Sequence, residues 1–115
     1  MHTVVEMPTF LSDCRRAGLS EDEHQAIIDA VAEDPQAGDI IKGTGGARKR
    51  RVSGRGKGKS GGYRVISYYP GPDRPALLLH LVDKGERADL SQAGRNEIQK
   101  LLLTYADTYR RRRKY

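Results

Sequence analysis

The spacing of apolar residues changes along this chain from a helical period to a strand period. Before Pro35, apolar residues recur every three to four positions, in one stripe from Phe10 to Cys14 and in another from Ile27 to Val31. After Ala47 the pattern alternates, and residues 48–52, 63–69 and 76–82 are predicted to form strands. A short β-branched run at residues 3–6 predicts a further edge strand.

The predicted helices have recognisable ends. Pro8 suits the start of the first helix, which Gly18 ends. Ser20 and Glu23 have the spacing of a capping box at the start of the second helix. Asp89 or Ser91 can cap a last helix, whose inward-facing residues are predicted to be Ile98, Leu101, Leu102 and Tyr105.

The resulting order, β-α-α-β-β-β-α, indicates an α+β domain with an antiparallel sheet. We expect the helices on one face of this sheet and a basic, concave surface on the other. A chain of 115 residues suits one domain, which we assign to residues 1–109, followed by a basic C-terminal tail at residues 110–115.

The composition excludes several classes of protein. No apolar run approaches the ~20 residues that span a bilayer, and residues 1–6 lack the basic and apolar segments of a signal peptide. Cys14, the single cysteine, cannot form an internal disulfide and fits a reducing compartment. We therefore expect a cytoplasmic protein.

Positive charge is concentrated in the middle of the chain. Residues 1–41 contain two arginines and nine acids, whereas residues 42–64 contain nine lysines and arginines and no acid. Such a segment attracts a polyanion, and nucleic acid is the commonest polyanion in a cell. The alternative is a solvated loop that has no partner.

Residues 53–62 form a predicted glycine-rich loop between two strands. They contain G-x-G-x-x-G and a Gly-Lys-Ser sequence, but Ser53 stands where a phosphate loop needs glycine, and a strand follows instead of a helix. We interpret the segment as a loop that grips a phosphate backbone through Arg55, Lys57 and Lys59.

Further cations lie on the predicted sheet. Alternation places Lys49 and Arg51 on one side of their strand, and strand pairing can add Arg64 to the same surface. Arg48 and Arg50 flank them and are further candidates for RNA binding. The alternative is that these charges only solvate an exposed face.

Such a cluster could cut RNA without a metal or another cofactor. The 2′-OH of RNA attacks the adjacent phosphate when a protein orients that phosphate, neutralises its developing charge and transfers two protons. Arginine suits the first two tasks, and Lys49, flanked by like charges, is a candidate for the third. The histidines lack metal-ligand spacing; we expect His80 to be a buried, hydrogen-bonded residue and Cys14 a core residue.

Two blocks resemble the HigB branch of the RelE/ParE toxin superfamily: residues 39–49, DIIKGTGGARK, and residues 56–66, GKGKSGGYRVI. Residues 84–86, KGE, and 89–91, DLS, are similar to the family's lysine–acid turn and final helix start. The resemblance covers nearly the whole chain.

The resemblance implies a type II toxin that enters the ribosome and cleaves mRNA there without a metal, which inhibits translation. By motif position, Lys49 and Arg51 match the family's strand lysines, Arg64 its phosphate-stabilising arginine and Lys84 the basic residue that ends the last strand. It also implies a cognate antitoxin, of the helix-turn-helix HigA-like type for this branch.

This sequence departs from many relatives at Val82, where they have an aromatic residue, and at Gly85, where they have asparagine. The tyrosine that accepts a proton in several relatives has no counterpart near Ser91, so the proton acceptor is unassigned. Two alternatives remain: a ParE-like toxin that binds and inhibits DNA gyrase, and a non-catalytic RNA-binding protein. The dense cations favour RNA cleavage, and the single Phe and absent Trp disfavour base stacking.

Overall fold

The computed structural model describes the backbone of residues 1–54, 58–83 and 91–112, and the side chains of residues 1–52, 62–82 and 91–107. In these residues three helices and five strands form the predicted α+β fold, with one strand more than the four predicted. Their bounds are β1 (Val4–Glu6), α1 (Pro8–Ala17), α2 (Glu21–Glu33), β2 (Asp39–Ile40), β3 (Arg48–Gly54), β4 (Gly58–Tyr68), β5 (Ala76–Asp83) and α3 (Gln92–Arg112). None of the helices in these residues is long and apolar enough to cross a membrane.

The helix starts lie where the capping signals predict them. Pro8 is the first residue of α1. At α2 the hydroxyl of Ser20 accepts from the backbone N–H of Glu23, and the Glu23 carboxylate accepts from the backbone N–H of Ser20, each at 3.1 Å. At α3 the hydroxyl of Ser91 accepts from the backbone N–H of Gly94 at 3.1 Å, so Ser91 is the cap.

The strands form one sheet in the order β1-β5-β4-β3-β2. β1 pairs with β5 in parallel and the other three pairs are antiparallel. The sheet is therefore mixed, and the prediction of an antiparallel sheet was wrong for this one pair. Alternation along a strand does not encode its direction, and the long connection between β1 and β5 permits a parallel pair.

Strand pairing extends further into the predicted loops than residue type alone suggests. β3 continues to Gly54 and β4 begins at Gly58, and these two glycines are cross-strand partners. The loop predicted at residues 53–62 is therefore shorter. The short strand β2 lies between α2 and β3, where no strand was predicted, because two residues cannot display a period.

The sheet is covered on both faces, so the prediction that all helices share one face was wrong. Side chains that alternate along β4 and β5 divide between two clusters. One joins Val65 and Leu78 to α1 and α2; its buried members are Phe10, Cys14, Ile27, Val31, Tyr63, Val65, Ala76, Leu78 and Leu81. The other joins Ile66 and Leu79 to α3; its buried members are Ile41, Ala47, Ile66, Leu77, Leu79, Ile98 and Leu102.

This arrangement has a reason in the sequence. Leu77, Leu78 and Leu79 are consecutive and all buried, and successive strand residues point to opposite faces. Both faces of β5 therefore need a cover. Leu101, predicted to face inward, is 37% exposed because the apolar stripe of α3 runs through Ile98 and Leu102.

β1 pairs with only the first part of β5, and beyond it side chains of α1 bond to the same edge of β5. The hydroxyl of Thr9 donates to the carbonyl of Leu79 at 2.6 Å, and the carboxylate of Asp13 accepts from the backbone N–H of Leu81 at 3.0 Å. Side chains of α1 thus replace the partners that a sixth strand would supply, which prevents pairing with another chain at this edge.

Candidate functional site

Three of the predicted cations lie on one face of the sheet. Arg51 of β3 is the cross-strand partner of Arg64 of β4, and Lys49 lies two residues before Arg51. Cross-strand partners point to the same face, as do residues two apart in one strand. The structure therefore brings together Lys49, Arg51 and Arg64.

A groove of about 470 Å³ opens on this face. Its lining residues are Gly38, Asp39, Lys49, Arg50, Arg51 and Arg64. Arg51 is exposed, whereas Lys49 and Arg64 are half-buried. A groove of this size with several cations suits an anionic ligand that is held at more than one point.

Among the described residues, α3 covers only part of the face on which the groove lies. Ile66, two residues beyond Arg64, is buried against Ile98 and Leu102 of α3. Lys49 is the cross-strand partner of Ile66, so the cations begin where the apolar contact with α3 ends. Apolar and charged residues thus divide this face into a packed half and an open half.

Arg50 is one of the lining residues, but its guanidinium points away from the groove, to the opposite face. Its guanidinium donates to the carbonyl of Ala30 at 3.3 Å and to the carbonyl of Asp34 at 2.6 Å, both at the C-terminal end of α2. Burial lowers the pKa of Arg50, and Arg48 lowers it further, while Asp34 opposes this. A cation at a helix C-terminus meets unpaired carbonyls and the negative end of the helix dipole.

Arg48 shares the side of β3 that Arg50 occupies, and its guanidinium donates to the carbonyl of Gly38 at 3.2 Å. The four consecutive cations of β3 therefore divide into two pairs. Arg48 and Arg50 hold the segment that follows α2, and Lys49 and Arg51 face the groove. The sequence-based prediction placed all four at the RNA because it did not use the position of α2.

Gly38 forms a wall of the groove by close approach to β3. Its φ is +101°, and a Cβ at this position would lie 2.4 Å from the carbonyl oxygen of Lys49. Only glycine fits such a contact at such a φ. Because residue 38 has no side chain, its backbone can lie against β3 beside the groove.

Asp39 is a groove residue that the sequence analysis missed as a site residue. It belongs to β2 and is the cross-strand partner of Lys49. It was missed because β2 was not predicted, and this two-residue strand places an acid of the acidic residues 1–41 beside the basic segment. The available signal was its position immediately before Ile40 and Ile41, a β-branched pair that favours a strand.

Several predicted site residues cannot be placed. Arg55, Lys57 and Lys84 lie outside the described residues, as does Gly85. Lys59 belongs to β4, but its side chain lies outside the described part. Val82 is the cross-strand partner of Arg64, so this aliphatic side chain lies beside the groove arginine.

Other side chains that could in principle take part in catalysis form hydrogen bonds or lie in the core. His80 contacts the Asp13 carboxylate through Nδ1 at 3.1 Å and is 34% exposed, so it is hydrogen-bonded as predicted but less buried. The hydroxyl of Tyr105 donates to the carbonyl of Pro75 at 3.1 Å. Cys14 is buried in the core, as predicted. Within the described ranges, no three His, Cys, Asp or Glu side chains are grouped to hold a metal ion.

Comparison with known proteins agrees with this architecture. Residues 9–112 match the family described as the RelE toxin of the RelE / RelB toxin-antitoxin system. The fold is similar to that of the E. coli toxin RelE, solved in the free state as a mutant with two arginines replaced by alanine, with a TM-score of 0.51. That similarity covers 71% of this chain and 82% of the other, at 14% sequence identity.

The family match extends over nearly the whole chain, from α1 to the end of α3. The groove cations lie within the matched residues. A toxin of this kind is paired with an antitoxin, so a cognate antitoxin is implied. The chain belongs to the RelE toxin family, within the RelE/ParE toxin–antitoxin superfamily.

Proposed function

We propose that this toxin is a metal-independent, ribosome-dependent endoribonuclease that cleaves mRNA and thereby inhibits translation. The observation that carries the proposal is the open groove in which Lys49, Arg51 and Arg64 share one face. Like charges on directly opposed strand residues destabilise a sheet. An anionic ligand, such as the phosphate between two nucleotides, offsets that repulsion.

The two arginines suit the phosphate. Each guanidinium presents several N–H donors in a fixed plane, which matches the geometry of phosphate oxygens. As the 2′-OH attacks, charge builds on those oxygens, and donors that are already oriented stabilise it most. Arg51 and Arg64 extend from neighbouring strands and can contact one phosphate from two directions.

Lys49 suits the leaving group. It lies on the same face, two residues from Arg51 along β3. Its ammonium group can donate a proton to the 5′ oxygen as that oxygen leaves. This is one of the two proton transfers for which the sequence made Lys49 a candidate.

The remaining predicted cations have roles outside the three groove residues in our proposal. Arg55 and Lys57 stand between β3 and β4 in the sequence, Lys59 belongs to β4 and Lys84 follows β5. In our proposal these cations contact RNA on either side of the cleaved bond. Arg48 and Arg50 are engaged by the segment after α2, so we assign them to the support of the groove. Each phosphate contact releases counterions and adds affinity that falls as salt rises.

The HigB-like blocks in the sequence further suggest a helix-turn-helix, HigA-like antitoxin and a cytoplasmic site of action. Antitoxin binding would keep the toxin from the ribosome. These partners are part of the proposal and rest on the sequence resemblance.

Primer extension on a defined mRNA in a purified translation system tests the function. Wild-type protein should produce cuts only when ribosomes are present. Arg64→Ala should abolish them, whereas Arg74→Ala should not, because Arg74 lies in the turn between β4 and β5 and not in the groove. Circular dichroism and thermal unfolding of both variants control for folding.

Intact mRNA after incubation with folded wild-type protein and translating ribosomes would contradict the proposal. Inhibition of gyrase supercoiling by the same preparation would then identify the ParE-like alternative.

A further inference from the structure

Among the described residues, Asp39 is the acidic one that lines the groove. Its side chain is exposed, and it lies across from Lys49 on the neighbouring strand. Cross-strand partners have Cβ atoms about 5 Å apart, and diagonal neighbours such as Arg51 lie about 7–8 Å away. The carboxylate is therefore beside the cations to which we assign the phosphate and the leaving group.

An acid lowers the affinity of a basic groove for RNA, so its presence there calls for a role. Cleavage without a metal requires a group that accepts the proton of the 2′-OH. Protonated lysine and arginine side chains are donors and have no acceptor. Among the described side chains that line the groove, that of Asp39 is the one whose oxygens can accept a proton.

We infer that Asp39 is the general base of the cleavage reaction, an assignment that rests on the proposed nuclease function. The proton of the 2′-OH moves to the Asp39 carboxylate while the 2′ oxygen forms a bond to phosphorus. The bond between phosphorus and the 5′ oxygen breaks, and that oxygen takes a proton from the Lys49 ammonium. The products are a 2′,3′-cyclic phosphate and a 5′-OH. Asp39 is then protonated and Lys49 is neutral. Asp39 releases its proton to solvent and Lys49 takes one up, which regenerates the enzyme.

The location of Asp39 fits this role. Gly38 holds the end of β2 against the backbone of β3, which fixes the position of the next residue. Asp39 and Lys49 are partners on adjacent strands, a spacing at which a base and an acid can each reach one of two oxygens of a single phosphate. A carboxylate held by backbone pairing can abstract a proton without a rearrangement of the chain.

Single-turnover cleavage of mRNA on ribosomes by Asp39→Asn tests the inference. Asparagine retains the shape but cannot accept the proton. The rate at neutral pH should fall about 100-fold or more. Half-saturating toxin concentration should stay the same or decrease, because the variant groove repels RNA less.

The pH dependence separates a base from a structural or electrostatic role. Without the carboxylate, hydroxide must remove the proton, so the deficit of Asp39→Asn should shrink about tenfold per pH unit from about pH 6.5 to about 8.5. Asp39→Glu keeps the base and should cleave faster than Asp39→Asn with a wild-type pH profile. Asp29→Asn makes the same charge change on the exposed surface of α2 and should behave as wild type.

The outcomes are distinguishable. Cleavage by Asp39→Asn at the wild-type rate, or a deficit that is equal at every pH, would overturn the inference and leave the nuclease function intact. Equal rates for Asp39→Glu and Asp39→Asn would also overturn it. Failure of the wild-type protein to cut would overturn the nuclease function and this inference with it.

Discussion

Arg51 of β3 lies directly across from Arg64 of β4, and both side chains leave the sheet on the same face. Directly opposed like charges cost a sheet about 0.2–1 kcal/mol. This pairing of like charges does not by itself stabilise the sheet. Such an arrangement is expected where a ligand, and not the fold, requires the charges.

The first prediction concerns this pair. Arg51→Ala and Arg64→Ala should each reduce mRNA cleavage by about 100-fold to 1,000-fold, since each removes a donor to the charge that develops on the phosphate. The double variant should lose less than the product of the two effects, because both arginines act on one phosphate. Single-turnover rates of the four proteins measure this coupling. Effects that multiply fully would show that the arginines act at separate places.

The second prediction separates neighbours on β3. Arg50→Ala should lower the free energy of unfolding by roughly 1–2 kcal/mol, because it removes charged donors from the carbonyls that end α2. Cleavage per folded molecule should change little. Arg51→Ala is the matched control, with nearly unchanged stability and strongly reduced cleavage.

Urea unfolding and cleavage rates, measured on the same preparations, check this reciprocal pattern. A large loss of cleavage by well-folded Arg50→Ala would place Arg50 at the RNA after all.

The third prediction concerns the wall of the groove. Gly38→Ala should destabilise the protein by about 2 kcal/mol or more, because the new methyl group meets the Lys49 carbonyl at a positive φ. Gly18→Ala is the control: its φ is +69°, but nothing lies within 4 Å of the added carbon. That variant should lose only about 1 kcal/mol. Equal losses in urea unfolding would show that Gly38 does not approach β3 closely.

The fourth prediction concerns the core thiol. Burial raises the pKa of Cys14 to about 11, and the carboxylates of Glu6 and Asp13 contribute to the rise. The folded state therefore holds this proton more tightly than the unfolded state, whose thiol has its ordinary pKa near 9.0. The contribution to stability is complete below pH 9 and is lost as pH rises toward 11.

Between pH 8 and pH 10 the ionisation of this thiol should lower the free energy of unfolding by roughly 1 kcal/mol. Urea unfolding of the wild type and of Cys14→Ala across this range measures it, because the difference between the two isolates the thiol from other groups. A parallel decline of both proteins would mean that Cys14 titrates alike in both states.

Much of the fold follows from local signals. The capping box at Ser20 and the hydroxyl of Ser91 define helix starts whatever the tertiary structure. The direction of β1 could not be predicted in this way, since it depends on contact with β5, about 70 residues later. The three consecutive leucines of β5 indicate that both faces of the sheet are apolar, whereas the predicted fold had helices on one face.

The site divides in the same way. Alternation along β3 predicts that Lys49 and Arg51 share a face, and the pairing register adds Arg64. The contacts of Arg50 with carbonyl groups depend on where α2 ends, and the place of Asp39 in the groove depends on a two-residue strand. Both are consequences of packing between segments that the sequence separates.

The ends of the cut RNA test the central claim most directly. If the Lys49, Arg51 and Arg64 face promotes attack by the 2′-OH, wild-type protein on translating ribosomes should release fragments with a 2′,3′-cyclic phosphate or its 3′-phosphate product and a 5′-OH. A single 2′-deoxynucleotide at the cut site should abolish the cut, and Arg64→Ala should give no fragments. Fragments with 3′-OH and 5′-phosphate ends, or cutting that survives the 2′-deoxy substitution, would contradict this account.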